Sequence, residues 1–264
     1  MQIGGMALRD GVMLQSERHW AAAIRTAEGE IEIHSGAKML LPGREVVHGI
    51  PVLRGLARMI ESMTALPALR MAAGRGVLPQ EDPKLLAATV GSAVAASAVR
   101  RRRTGSALLR ETTVAALMLA PAMLAVRSSE LSRFHGAEHK SVAAYETGDP
   151  ASTSAREHDR CGTNLVVPLA LTSVLGGLVL RGLGKERQPL AVLSVGLLSI
   201  GSAVEIFNWM TRHKGEPLAD MLRLPGVEMQ HLFTTREPTE DQLEVAEAAM
   251  AELLRIEGEE PETA

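Results

Sequence analysis

Cysteine and aromatic residues are nearly missing from this chain of 264 residues. The single cysteine, Cys161, excludes an internal disulfide and a four-cysteine zinc cluster, and it fits a reducing compartment. Six aromatics, counting three Phe, two Trp and one Tyr, cannot furnish the aromatic belts usual at membrane surfaces; of the Trp and Tyr that build such belts, only Tyr145 and Trp209 lie near apolar runs. Basic surplus is absent too. The net charge of −3 argues against a nucleic-acid-binding protein, which concentrates positive charge on one surface. The opening MQIGGMALRDG has no basic patch followed by an apolar run, so a cleaved secretory signal is not expected.

What the chain does have is unevenly spread. Residues 1–80 read as a soluble N-terminal region. Within it, Ala22, Ile24, Ile31 and Ile33 alternate on either side of Glu28-Gly29, which predicts a β-hairpin over Arg18 to Ile33. The preceding GGMALRDGVML could be a further strand or a tight loop. From Pro51 the apolar spacing lengthens to that of an amphipathic helix through Val52, Leu56, Met59, Ile60 and Met63, ended by Gly74 to Gly76.

Residues 81–212 hold four apolar runs: 85–99, 112–126, 161–180 and 188–210. The first two are charge-free for about 15 residues, short of the roughly 20 needed to cross hydrocarbon. The last two are long enough, and only Glu205 interrupts the second. About four membrane-associated helices are therefore expected, in a multi-pass protein of the cell membrane with its soluble parts cytoplasmic and membrane lipids around it. Four buried helices of a soluble domain are the alternative. Arg100 to Arg103 leave both sides basic, so charge bias does not orient the spans. Residues 213–256 read as a soluble helical segment, where Thr239 and Gln242 form a capping box ahead of a helix over 239–256. The acidic end, 257–264, reads as a disordered tail. The fold class expected is α+β and predominantly α-helical, with a small N-terminal β-containing region.

The chemistry concentrates in Phe134 to Lys140. His135, Glu138 and His139 fall on one helix face, and the order H-x-x-E-H is the inverted zincin arrangement. Two imidazoles one turn apart can hold one Zn²⁺, and the carboxylate between them can serve as general base. The plainer alternative is a polar helix end whose histidines are simply hydrogen-bonded. A third protein ligand is needed, and Glu205 or His158 is expected to supply it. Glu205 qualifies as an ionisable group inside an apolar run. Cys161 could be a thiolate ligand or a packed thiol, and Glu146 would lie roughly 10 Å beyond His139 on a continuous helix. Arg160 could position an anionic substrate or pair with lipid phosphate. Lys140 is expected to be solvated or lipid-facing, Arg236-Glu237 to bridge a turn, and His19, His34, His48, His213 and His231 to be structural or superficial.

Four segments carry a family resemblance: GGMALRDGVM, FHGAEHK followed by Tyr145-Glu146, HDRCGT, and TTREPTEDQLEVA. Together they resemble the YqhQ-like family, a domain of unknown function whose bacterial, multi-pass members are described as metal-dependent enzymes. The resemblance implies a metal site around His135, Glu138 and His139, with His158, Arg160 and Cys161 close by. It implies no substrate. The chain departs from the family pattern at Met6 to Asp10 and in a short, arginine-rich 85–126 region. Two functions are thus expected to compete: a membrane-associated zinc-dependent hydrolase acting on a peptide, lipid or lipid-linked group, and a non-catalytic scaffold or assembly factor. A carrier using Glu205 is a third. No nucleic-acid partner is expected.

Overall fold

The computed structural model describes residues 1–102 and 105–258. Arg103 and the tail from residue 259 lie outside the described residues. The chain is mostly helical, with one four-stranded antiparallel sheet near its N-terminus.

The sheet runs β1 (Gly4–Leu8), β2 (Gly11–Gln15), β3 (His19–Arg25) and β4 (Ile31–Ala37), each pairing with the next. The glycine-rich opening is thus a strand-turn-strand unit, and the expected hairpin is its second half. Asp10 closes the first turn at φ 66°, a left-handed conformation that Asp tolerates. Both faces of the sheet are covered, so β2 and β3 are apolar on both sides. The alternation read from the sequence therefore splits. Ala22 and Ile24 pack with Met13, Trp20 and Leu69 on one face, while Ile31 packs with Val12, Leu14 and Ala23 on the other.

Three short helices follow: α1 (Arg44–His48), α2 (Leu53–Met63) and α3 (Ala65–Ala73). The helix expected from Pro51 is broken at Thr64, and α3 ends at Gly74, whose φ of 63° suits glycine. Its Leu69 covers the first sheet face. The long helices α4 (Pro83–Arg101) and α5 (Ala107–Ala125) pack along each other, as do α7 (Val166–Gly182) and α8 (Pro189–Arg212), and α5 packs on α7. Three of the four have a visible start. Asp82 caps α4 ahead of Pro83, Ser106 caps α5, and Pro189 opens α8.

Three helical stretches are long and apolar enough to cross a membrane: Ala107–Ala125, Gly162–Gly182 and Pro189–Arg212. No more than 28% of any of these apolar windows is buried within the chain, so the alternative of four buried helices does not describe them. The run expected at 112–126 lengthens because α5 begins five residues earlier, taking in Arg110 and Glu111. Both are buried; Glu111 lies against Gly177 of α7, where any side chain would overlap its carboxylate.

Between the two helix pairs lies α6 (Ser129–Thr147), capped by Ser128 and ended by Gly148 at φ 78°. After α8 come α9 (Pro217–Met229), a π-turn at Gln230–Thr234 and α10 (Glu240–Glu257). The capping box of Thr239 and Gln242 forms as expected. Glu257, read as the start of a tail, instead ends α10 and pairs with His19 at 2.7 Å. Phe134, Ala137 and Val142 of α6 and Val245, Ala249 and Leu253 of α10 cover the second sheet face. That packing fixes α6, and with it the H-x-x-E-H segment.

Candidate metal centre

Because α6 is one uninterrupted helix, His135 and His139 sit one turn apart with ring centroids 4.4 Å from each other. Each ring is anchored by a backbone carbonyl. His135 Nδ1 lies 2.8 Å from the Thr234 oxygen, and His139 Nδ1 lies 2.6 Å from the Arg156 oxygen. A carbonyl only accepts, so both Nδ1 atoms carry the proton and both Nε2 atoms present a lone pair. The Cys161 Sγ is 3.3 Å from His135 Nε2. One ligand atom from each of His135, His139 and Cys161 lies within 4.8 Å of the others, and these three residues could hold a metal ion.

Glu138 stands beside this group, its Oε2 3.5 Å from His139 Nε2. The strand β1 crosses directly over it at Gly5, where a Cβ would come 2.5 Å from the carboxylate. Glycine is required for that approach. Burial raises the Glu138 carboxyl to about 7, against a smaller opposing pull from His135. The buried acid next to an imidazole pair can accept or return a proton near neutral pH.

His158, expected as a third ligand, comes close without joining the three. Its ring centroid is 5.8 Å from that of His139. Its Nδ1 accepts from the Arg160 backbone N–H at 3.2 Å, which leaves Nε2 as the donor to Glu146 at 3.1 Å. No lone pair is free. Burial lowers the His158 imidazole, against the opposing pull of Glu146. Burial also pushes Glu146 up, but hydrogen bonds from His158 and Arg160 outweigh it and hold the carboxyl below its ordinary value. Arg160 is thus already paired with Glu146, and its side chain keeps one-third of its surface exposed.

Glu205, the other expected ligand, is elsewhere. It accepts from Arg54 Nε at 2.6 Å and from the Val52 backbone N–H at 3.2 Å, tying α2 onto α8. Two glycines permit that docking: Gly201 beneath Val52, and Gly55 against Val204. An arginine from outside the apolar helix pairs with the acid. Lys140 also departs from expectation. It is buried and paired with Glu237, so Glu237 does not bridge a turn with Arg236.

Sequence reasoning did not anticipate the carbonyls of Arg156 and Thr234, or Gln230, which is fully buried and accepts the His158 backbone N–H at 2.8 Å. Gly136 offered a usable signal. It leaves the helix without a side chain between His135 and Ala137, and the Arg236 carbonyl rests in that space.

The model of the family described as Protein of unknown function (DUF1385) matches residues 83–256. The chain belongs to that family. Its matched segment includes α6, Cys161 and the π-turn, hence every residue of the candidate centre except Gly5 of β1. The chain is similar to the uncharacterized protein YqhQ of Bacillus subtilis (strain 168), at 27% identity over 298 aligned positions, covering 96% of this chain and 92% of that protein. No solved structure matches it.

Proposed function

We propose that this protein is a membrane-associated, zinc-dependent hydrolase whose ligands are His135, His139 and Cys161 and whose general base is Glu138. The observation that carries the reading is the tautomeric lock: two carbonyls hold the Nδ1 protons, which leaves both Nε2 lone pairs for a ligand, with the Cys161 thiol 3.3 Å from His135 Nε2 and within 4.8 Å of a ligand atom of His139. Two imidazoles and a thiolate suit a borderline-soft ion, and three protein ligands leave one position open, as in catalytic rather than structural sites. A bound Zn²⁺ would supply Lewis acidity and make a water acidic near neutral pH.

The chain's own residues would then do the following. Thr234 and Arg156 hold the imidazoles in orientation. Gly5 and the sheet keep bulk water from Glu138, which takes a proton from the attacking water and returns it to the leaving group. The Glu146–His158–Arg160 network braces the outer side of His139 and offers an arginine to an anionic substrate group. The substrate is a peptide, lipid or lipid-linked group reached at the bilayer surface. The thiol ligand favours a reducing, cytoplasmic side of the cell membrane.

Four crossings accompany this reading. The sheet, α6 and α10 form one packed body, so the chain must cross between them an even number of times. If α5 crosses, α4 crosses with it, although α4 is not apolar enough to be recognised alone. A contact between the two connecting turns, Arg187 to the Arg101 carbonyl at 3.3 Å, supports this layout.

Elemental analysis of the purified full chain tests the metal. About one Zn²⁺ per chain is expected in the wild type, with the metal lost in His139→Ala and Cys161→Ala and retained in Glu138→Gln. A wild type without stoichiometric metal would end the proposal. A second reading, a non-catalytic scaffold, draws on the same 3.3 Å contact, since a thiol donating to an imidazole gives that distance without any metal. It expects metal-free protein and unimpaired partner assembly in all three variants.

A further inference from the structure

The helix α9 wears its residues the wrong way round for a soluble protein. Its inward positions are Ala219 and Gly226, both buried, and Gly226 lies against Asn164 so closely that a side chain there would overlap it. Its outward positions are Leu218, Met221 and Leu224, which are 54%, 61% and 56% exposed, and the π-turn adds Leu232 at 70%. Only Glu228, in the last turn, interrupts this outward stripe. An apolar face of that kind on the outside is the signature of a helix that meets something other than water.

What it meets follows from its neighbours. α9 begins five residues after α8 ends and packs on α7 and α8, two of the three elements apolar enough to cross a membrane. Arg212 stands exposed at the junction, and Lys214 beside it pairs with Asp159. At 13 residues α9 is too short to cross. A second exposed apolar stretch, Val46, Ile50 and Leu53, precedes the α2 segment docked on the same half of α8.

We infer that α9 is an interfacial helix, seated in the plane of the bilayer with Leu218, Met221 and Leu224 in the acyl boundary. The inference rests on membrane insertion of α7 and α8, and it is independent of any metal. Its consequence for function lies in what α9 is tied to. Arg223 pairs with Asp159, and the buried Gln230 at its end holds the His158 backbone, so the loop that carries Cys161 is fastened to a helix resting on lipid. The candidate centre then opens at headgroup depth, and a lipid-linked substrate reaches it without leaving the bilayer.

Fluorescence quenching by brominated lipids tests this in the full chain reconstituted into nanodiscs. In a Trp209→Phe background, single reporters are placed at Met221→Trp on α9, Leu197→Trp on α8 and Glu247→Trp on the outer face of α10. Trp20, buried in the sheet, contributes constant emission. The expected result is strong quenching of the α9 reporter by bromines near the headgroup and weak quenching by bromines at the chain ends. The α8 reporter should respond most to the deeper label, and the α10 reporter to neither. An α9 reporter that stays bright while the α8 reporter is quenched overturns the inference, leaving the face to solvent or a protein partner. If the α8 reporter also stays bright, insertion itself fails and the inference falls with it. Leu218→Trp in the same background repeats the α9 measurement one turn away.

Discussion

Leu8, Val12, Met13 and Leu14 in the sheet are fully buried, whereas Leu175, Leu190 and Leu193 in α7 and α8 are 61%, 79% and 59% exposed. The two regions have similar apolar content per residue and opposite fates for it. In the sheet body, helices close over both faces and water is excluded by the chain itself. Along the apolar helices the large side chains point outward, while small residues such as Gly176 and Gly177 make the contacts between helices. Burial in the first region is a property of the fold, and in the second a property of what surrounds it.

Truncation should separate the two. With unfolding in urea followed by Trp20 emission in detergent, Leu14→Ala is expected to cost about 3 kcal/mol, because it leaves a cavity that a sheet covered on both faces cannot close. A loss below about 1 kcal/mol would show the sheet body to be looser than its burial implies. Next in size is Gly136→Ala. The new methyl would overlap the Arg236 carbonyl, displacing the segment after the π-turn from α6 at about 2 kcal/mol. Since Thr234 ends the π-turn two residues before Arg236 and orients His135, bound metal should fall along with stability; full metal content would uncouple the two regions of contact.

A smaller effect is expected from Glu257→Gln. Its carboxylate side chain is only 6% exposed and accepts from Ser16 and His19, which hold it below the ordinary carboxylate value against the push of burial. A depressed carboxyl stabilises the fold above its unfolded value and loses that contribution as pH falls through its folded one. The variant should therefore lose about 1 kcal/mol at neutral pH and approach the wild type on acidification. A difference that persists in acid would assign the effect to shape rather than charge. Smallest of all, Leu190→Ala should change stability by less than about 0.5 kcal/mol, because its side chain packs on little of the chain. A cost equal to that of Leu14→Ala would erase the contrast between the regions.

Much of this was legible from residue order alone. The spacing of His135, Glu138 and His139 needed only helical geometry to bring them together, and the capping box at Thr239 needed only local hydrogen bonds. What escaped depended on distant segments meeting. Glu205 looked isolated because its partner, Arg54, lies 151 residues earlier. Cys161 joins the histidines only because residues 148–160 fold back, and no periodicity records a loop's path. Helix α9 was hidden by its Pro225 and by an apolar stripe that faces away from the core, where amphipathic reasoning looks for the opposite. Lys140 was misplaced for a similar reason, since an exposed neighbour, Glu237, is what makes its burial tolerable.

Helix α10 is synthesised after the apolar helices, yet it is the lid of a sheet that precedes them. Residues 4–37 form the sheet, but the α10 side chains that shield one of its faces are synthesised only after every apolar helix has emerged. Until then Val12, Leu14 and Ala23 present a sticky, half-finished surface, and a chain that stalls after α8 would carry it uncovered. Translation must therefore pass through α10 before those sheet residues are safe, which makes that helix a seal on maturation as much as a structural element.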